Sequence, residues 1–411
     1  MLSPLHKVCI KLCFFLLINF TFTTGLKAQF FELPKNKKSI TVPFKMVRNM
    51  VIIKTMINGK GPYNFVMDTG VGLIVITDPA IGDSVGLSKR HVKVSGLGNS
   101  TEYSATVTSG LNFNINGIVG ENLSAAVLQK DRFGLSNYAG MPIHGLLGYD
   151  FFNSLAVKFS FWDSTMIVAR TGAIKALRKG FKLPIIIDQN KPYATAKVQY
   201  AEYPETDAKL VVDFGAGHSL LLDNYIRNNT LPQKYIKANL GVGLTGPLEG
   251  LLSRVAMLKI GKYEFKNVIT SFPIVDTAAN RRSIDRDGNL GLGILKRFTL
   301  IVDYQGGFID LKPAKDFKAA FEHDMSGLEY YGDGDDYKTI IISRVEPGSA
   351  ADDIGLKKDD AIAAINFKSV ADLSIEQIDS YFKSGDDRSL LLDVYRNGKR
   401  GKFILTLKKR I

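Results

Sequence analysis

The chain reads as mainly β, with two pseudo-symmetric lobes followed by a small α+β domain. Three observations predict this. Landmarks in the first half recur 145 residues later in the second. Both halves consist of short runs rich in valine, isoleucine, threonine and phenylalanine, with turn signals at close intervals, so their periodicity is that of strands. Near residue 325 the composition changes to strand, short helix, strand, longer helix and paired strands.

The repeat is anchored by two acids. Asp68-Thr69-Gly70 closes one apolar strand (FVMDTG) and Asp213-Phe214-Gly215 closes another (LVVDFG). In the same register Gly96-Leu97-Gly98 matches Gly241-Val242-Gly243, Asn122 matches Asn267, and Gly148 matches Gly293. Leu155 and Val157 match Leu300 and Val302. Lobe 1 is therefore assigned to 29–170 and lobe 2 to 171–316, with 171–184 as the connection. Asn58-Gly59 is a hairpin signal. Only short helices are expected, at YDFFNSL after Gly148 and ILKRF after Gly293.

Composition narrows the function. A content of 45% hydrophobic and 23% charged residues fits a globular protein. The formal charge of +13 is spread without a dense basic block or nucleic-acid motif, so no nucleic-acid partner is expected. Residues 1–28 read as a signal peptide. Lys7 and Lys11 precede the apolar CFFLLINFTF, which is short for a membrane span, and Ala28 is the expected cleavage point. The protein is thus expected to be exported to the periplasm or cell envelope, with no stable membrane span after signal removal. Cys9 and Cys13 lie in that segment, leaving the mature chain without a thiol. The five histidines make no HExxH spacing and there is no Gly-x-Ser-x-Gly element, so no metal site and no cofactor are expected.

An acid at the end of a buried strand in each lobe points to a carboxylate pair across a pseudo-two-fold axis. Like charges held close cannot both ionise cheaply, so one acid keeps its proton while the other is ionised. The ionised member takes a proton from water and the neutral one polarises a carbonyl. Gly70 and Gly215 let backbone amides approach the carboxylates, and the Thr69 hydroxyl is placed to tie one loop to the other. GLLG (145–148) and LGLG (290–293) are expected to pack a short helix beneath each loop.

With these motifs, residues 40–315 resemble the retroviral-type aspartic proteases of bacteria, related in fold to pepsin and fused as two acid-protease β-barrel lobes. The resemblance implies Asp68 and Asp213 as the catalytic pair, with Thr69, Gly70, Phe214 and Gly215 in the active-site loops. It implies a flap at Gly96, Leu97 and Gly98, and a second at 241–246, closing over an extended peptide. Two positions depart from the pattern: Val71 replaces alanine, and Phe214 stands where a hydroxyl residue is usual, so the second loop returns no hydroxyl hydrogen bond. His218, close to Gly217, is expected to pack or cap locally, and Tyr103 to be a strand aromatic. Asp303 and Tyr304 are expected to be structural and Trp162 to lie in core or interface.

Residues 325–411 resemble a PDZ domain of the bacterial type. The matching residues include Ser326-Gly327-Leu328-Glu329, Pro347-Gly348-Ser349-Ala350, Gly355-Leu356, Asp360 and Ile365-Asn366. The resemblance implies that the loop at Gly327 and Leu328 offers amides to a peptide C-terminus, which adds as a strand. Asp359 and Phe367 stand where glycines are usual. Together the resemblances imply an exported aspartic endopeptidase, active as a single chain on peptide or protein substrates, with peptide C-termini bound at the PDZ domain. The rival readings are a catalytically silent peptide-binding protein, which Phe214 favours, and an envelope scaffold.

Overall fold

A computed structural model of the chain describes residues 30–84, 90–94, 103–131, 133–201, 203–223, 232–243, 246–274 and 286–411. The segment assigned as a signal peptide lies outside them.

Lobe 1 is built from β1 (Met50–Ile57), β2 (Lys60–Met67), β3 (Ile74–Ile76), β4 (Tyr103–Ile115), β5 (Ile118–Leu128) and β6 (Gly145–Leu147). They pair in the order β1–β2–β6–β3–β5–β4, and β4 returns to β1 to close a barrel. Lobe 2 repeats the order with β7 (Lys191–Gln199), β8 (Thr206–Asp213), β9 (Leu220–Leu222), β10 (Gly246–Ile260), β11 (Tyr263–Pro273) and β12 (Gly288–Gly291). Its ring is β7–β8–β12–β9–β11–β10, closed by β10 on β7. The Asn58-Gly59 turn forms as expected, both residues at positive φ. Asn122 and Asn267 share a positive φ of 55° and 52°, which supports the register between them.

That register changes further on. Leu147 pairs with Met67 and Leu290 pairs with Val212, the residue before each acid. Gly148 therefore matches Gly291, not Gly293, and the following helices are α2 (Tyr149–Ser154) and α3 (Leu292–Leu295). The hairpins Val157↔Val168 and Leu300↔Leu311 show the same 143-residue offset, so Val157 matches Leu300 but Leu155 matches Phe298. The alternating LGLG hides the slip, because a shift of two residues keeps every side chain on its own face of a strand.

The lobes are joined by a six-stranded sheet in which Ala156–Ser160 of lobe 1 pairs with Phe298–Asp303 of lobe 2, Val157 opposite Val302. Phe181–Pro184, the end of the expected connection, forms one edge of this sheet. Trp162 is not core: it is 72% exposed, with the Lys315 ammonium 4.3 Å from its ring centroid. It sits in the hairpin turn between the strands Ala156–Ser160 and Thr165–Ala169, where no neighbouring strand covers it.

The third domain is one sheet in the order β13 (Leu328–Asp333), β14 (Thr339–Val345), β15 (Ala361–Ile365), β16 (Ser389–Arg396) and β17 (Lys399–Thr406). Its longer helix, α4 (Ile375–Phe382), starts from a capping box between Ser374 and Gln377. The domain covers the outer face of lobe 1. Strand alternation sends Phe65 and Met67 into the barrel, while Val66 joins Ile52, Val75 and Leu146 in a cluster continuous with Leu328, Tyr330 and Ile378. This two-sided burial explains why FVM and IVI are unbroken apolar runs.

Phe214 is fully buried, its ring 4.8 Å from Phe159 and 5.8 Å from Phe152, so it plugs the lobe interface instead of shaping the cleft. Restoring the family residue by Phe214→Thr removes that ring. We expect a loss of about 3 kcal/mol or more in chemical denaturation, the usual cost of emptying an aromatic core site. Asp359 and Phe367 keep the left-handed turns expected of glycine, at φ 69° and 68°. Phe367 is 82% exposed, so Phe367→Gly should relieve strain without losing packing, stabilising the chain by about 0.5–1 kcal/mol in the same assay.

Candidate active site

The end of β2 and the end of β8 meet at the lobe interface, each running into a glycine turn. Gly70 N–H donates to Asp68 Oδ1 at 2.7 Å and Gly215 N–H to Asp213 Oδ1 at 2.9 Å. The loops also face each other. A Cβ on Gly70 would stand 3.1 and 3.2 Å from the Asp213 oxygens, and one on Gly215 would collide with the Asp68 carboxyl. A side chain is excluded at Gly215 and tightly opposed at Gly70, because each carboxyl occupies the space beside the other lobe's loop.

Thr69 ties the loops as expected. Its hydroxyl donates to Val212 O at 2.6 Å and accepts from Phe214 N–H at 2.9 Å. Two further clamps were not anticipated. Asn49 Nδ2 donates to Gly217 O at 2.7 Å, and Asn190 Nδ2 donates to Gly72 O at 3.2 Å. Each asparagine sits in a hairpin turn of one lobe, at positive φ, and holds the loop of the other.

The Asp68 and Asp213 carboxyls face each other across the lobe boundary, each with an oxygen 3.0–3.1 Å from the place of a Cβ on Gly70. Burial, followed by the Asp213 charge, pushes the Asp68 carboxyl up to about 7, against a smaller opposing effect of Lys191. The pair is not symmetric. Asn289 Nδ2 donates to Asp213 Oδ2 at 2.6 Å, so both Asp213 oxygens accept an N–H. The matching residue in lobe 1 is Leu146, which supplies no donor. Asn289 was legible only as a polar residue in an apolar element: GNLG, where lobe 1 has GLLG.

Other predicted residues fall around this centre. His218 lies near Asp213, its imidazole pKa lowered by burial. Asp303 is structural, accepting from Gly172 and Gly306 N–H. Tyr304 is buried near both acids, and burial followed by their charge raises its phenol well above the usual value. Gly96, Leu97 and Gly98 lie outside the described residues, although the strands flanking them pair Val94 with Tyr103. The second hairpin pairs Val242 with Pro247 and Gly243 with Gly246. Among the described residues there is no cluster of metal-ligating side chains, and no helix is long and apolar enough to cross a membrane.

At the third domain, the amides of Gly327 and Leu328 already have partners. Gly327 N–H donates to Asp324 Oδ1 at 2.8 Å and Leu328 N–H to Ser326 Oγ at 3.0 Å. Gly327 itself needs its φ of +76° and leaves no room for a Cβ against Ser349.

Residues 53–151 match the aspartyl protease family model and residues 317–392 match that of the PDZ domain. No curated protein matches the chain. Among solved structures, the aspartic proteinase from Irpex lacteus matches at a TM-score of 0.44 and 13% identity, over 68% of this chain and 99% of that one. The chain thus carries an aspartyl protease region followed by a C-terminal PDZ domain.

Proposed function

We propose that the protein is an exported aspartic endopeptidase of the periplasm or cell envelope, in which Asp68 and Asp213 share one proton and activate a water. The observation that carries this reading is the meeting of the two carboxyls at the lobe boundary, where the place of a Cβ on Gly70 lies 3.0 Å from Asp68 Oδ1 and 3.1 Å from Asp213 Oδ1, each carboxyl held by the glycine amide of its own loop. Both acids are in one chain, so the enzyme acts without a second copy. The PDZ domain is proposed to receive peptide C-termini.

The asymmetry divides the roles. Asp213, with an N–H on each oxygen, is the ionised member and takes the proton of the attacking water. Asp68, whose neutral form is favoured by burial and by the neighbouring charge, keeps its proton and polarises the scissile carbonyl. Collapse of the tetrahedral intermediate then returns a proton to the leaving amine. Phe214 does not oppose this chemistry, since its ring is in the core.

Digestion of a peptide library with the wild type and with Asp68→Ala and Asp213→Ala tests the proposal. Cleavage should fall by at least about 10³-fold in either variant, and cleavage that is absent from the wild type or untouched in the variants would refute it. Raising the pH ionises Asp68, so kcat/KM should decline above about pH 7, tenfold per unit. Asn289→Leu, which copies lobe 1, removes one donor from Asp213 and should lower kcat/KM by roughly tenfold, the loss of one hydrogen bond to a charged group, with the thermal melt of the variant checked beside the wild type.

A further inference from the structure

The PDZ groove lies between β13 and α4, and the protease lobe is already in it. β13 is an edge strand of its sheet. On its open side Arg48 Nη1 donates to Tyr330 O at 3.2 Å, and Asn137 Nδ2 donates to Gly332 O at 2.9 Å. Those carbonyls belong to the edge that an added peptide strand would use. Across the groove, Arg48 Nη2 and Nε donate to the two oxygens of Asp379 on α4 at 2.8 and 3.1 Å. Its guanidinium lies between the rings of Tyr138 and Tyr330, at 4.6 and 4.7 Å. The Tyr330 hydroxyl closes the set on Asp379.

The backbone of lobe 1 also enters the space between β13 and α4. Helix α1 (Leu135–Ala139) ends at Gly140, which stands between Gly332 on β13 and Ile375 on α4. The end of the groove that would receive a carboxylate is occupied as well. Asp324 Oδ1 accepts from Ser326 N–H at 2.9 Å, from Gly327 N–H at 2.8 Å and from the Ser326 hydroxyl at 2.6 Å. A carboxylate of the chain itself therefore sits where the acid of a ligand would be bound.

We infer that this PDZ domain is closed by an internal ligand, with Arg48 as its central pin, and that a peptide C-terminus enters only when lobe 1 leaves the groove. The inference rests on the proposed role of the domain as a peptide receptor and adds what holds that receptor shut. The energetic case is the arginine. A buried bidentate arginine–carboxylate pair whose Nη1 also donates to Tyr138 O at 3.0 Å and to Tyr330 O gives up far more on leaving than a surface ion pair does. A ligand that needs a minor, open state binds more weakly in proportion to the population of that state.

The test uses the whole chain. Fluorescein-labelled peptides ending in Val, Leu, Ile or Phe with a free carboxylate, and their amidated counterparts, are titrated by fluorescence polarisation. The targets are the wild type, Arg48→Ala/Asn137→Ala, the same pair with Asp324→Ala, which also frees the Gly327 amide, and the milder Arg48→Lys, which keeps the charge but loses the fork. The Arg48→Lys protein keeps the test valid if the double and triple variants do not fold, as judged by thermal melting. Free-carboxylate peptides should bind a folded opened variant at least about tenfold more tightly than the wild type, and amidated peptides should bind neither. Equal binding to wild type and folded opened variants overturns the closed groove alone. No binding to any folded protein overturns both the closed groove and the peptide-receptor reading.

Discussion

The structure at the lobe boundary depends on two buried acids being held close enough to repel. A carboxyl pair of this kind stands only if the surrounding structure opposes the repulsion and keeps water from dispersing it. Here the opposing structure is built in layers. The glycines at 70 and 215 allow contact across the lobe boundary, Thr69 bonds the loops beneath it, and the paired strands around Val157 and Val302 fix the lobes as one body. Phe214 adds an apolar bond where a second hydroxyl bond is usual. The exchange costs symmetry and supplies packing, since its ring fills space between Phe152 and Phe159.

Much of this was legible in the sequence, for a physical reason. A duplicated strand that ends in an acid and a glycine constrains topology strongly, and the ring order of β1 to β6 recurs without change in β7 to β12. The two acids, Thr69 and both glycines lie where that pattern predicts. What was lost is equally instructive. The two-residue slip at Gly291 was invisible because strand faces repeat every second residue. Asn289 acts from a neighbouring strand, and only the pairing of β8 with β12 brings it to Asp213. Trp162, expected in core or interface, is instead carried outward by a hairpin turn.

The relation between the domains was the least legible feature. Continuous apolar strands in lobe 1 read as ordinary interior, yet Val66 and Val75, at the centres of FVM and IVI, belong to the cluster shared with the PDZ domain and not to that of their own barrel. Sequence composition does not distinguish a face buried by its own fold from one buried by a neighbouring module. Arg48 likewise gives no sign, in a stretch of ordinary turn residues, that it reaches Asp379 across more than three hundred positions. Interfaces inside a chain are resolved by shape, and shape is a property of the folded whole.

Arg48 and Asn49 are consecutive, and they form the tip of one tight turn. One side chain grips the accessory module and the next holds Gly217 O, four residues beyond Asp213. A planar peptide unit joins them and has little compliance of its own. One turn thus seats the accessory module on one side and the loop of Asp213 on the other, and both seats require the same two residues to keep their left-handed backbone, at φ 45° and 59°.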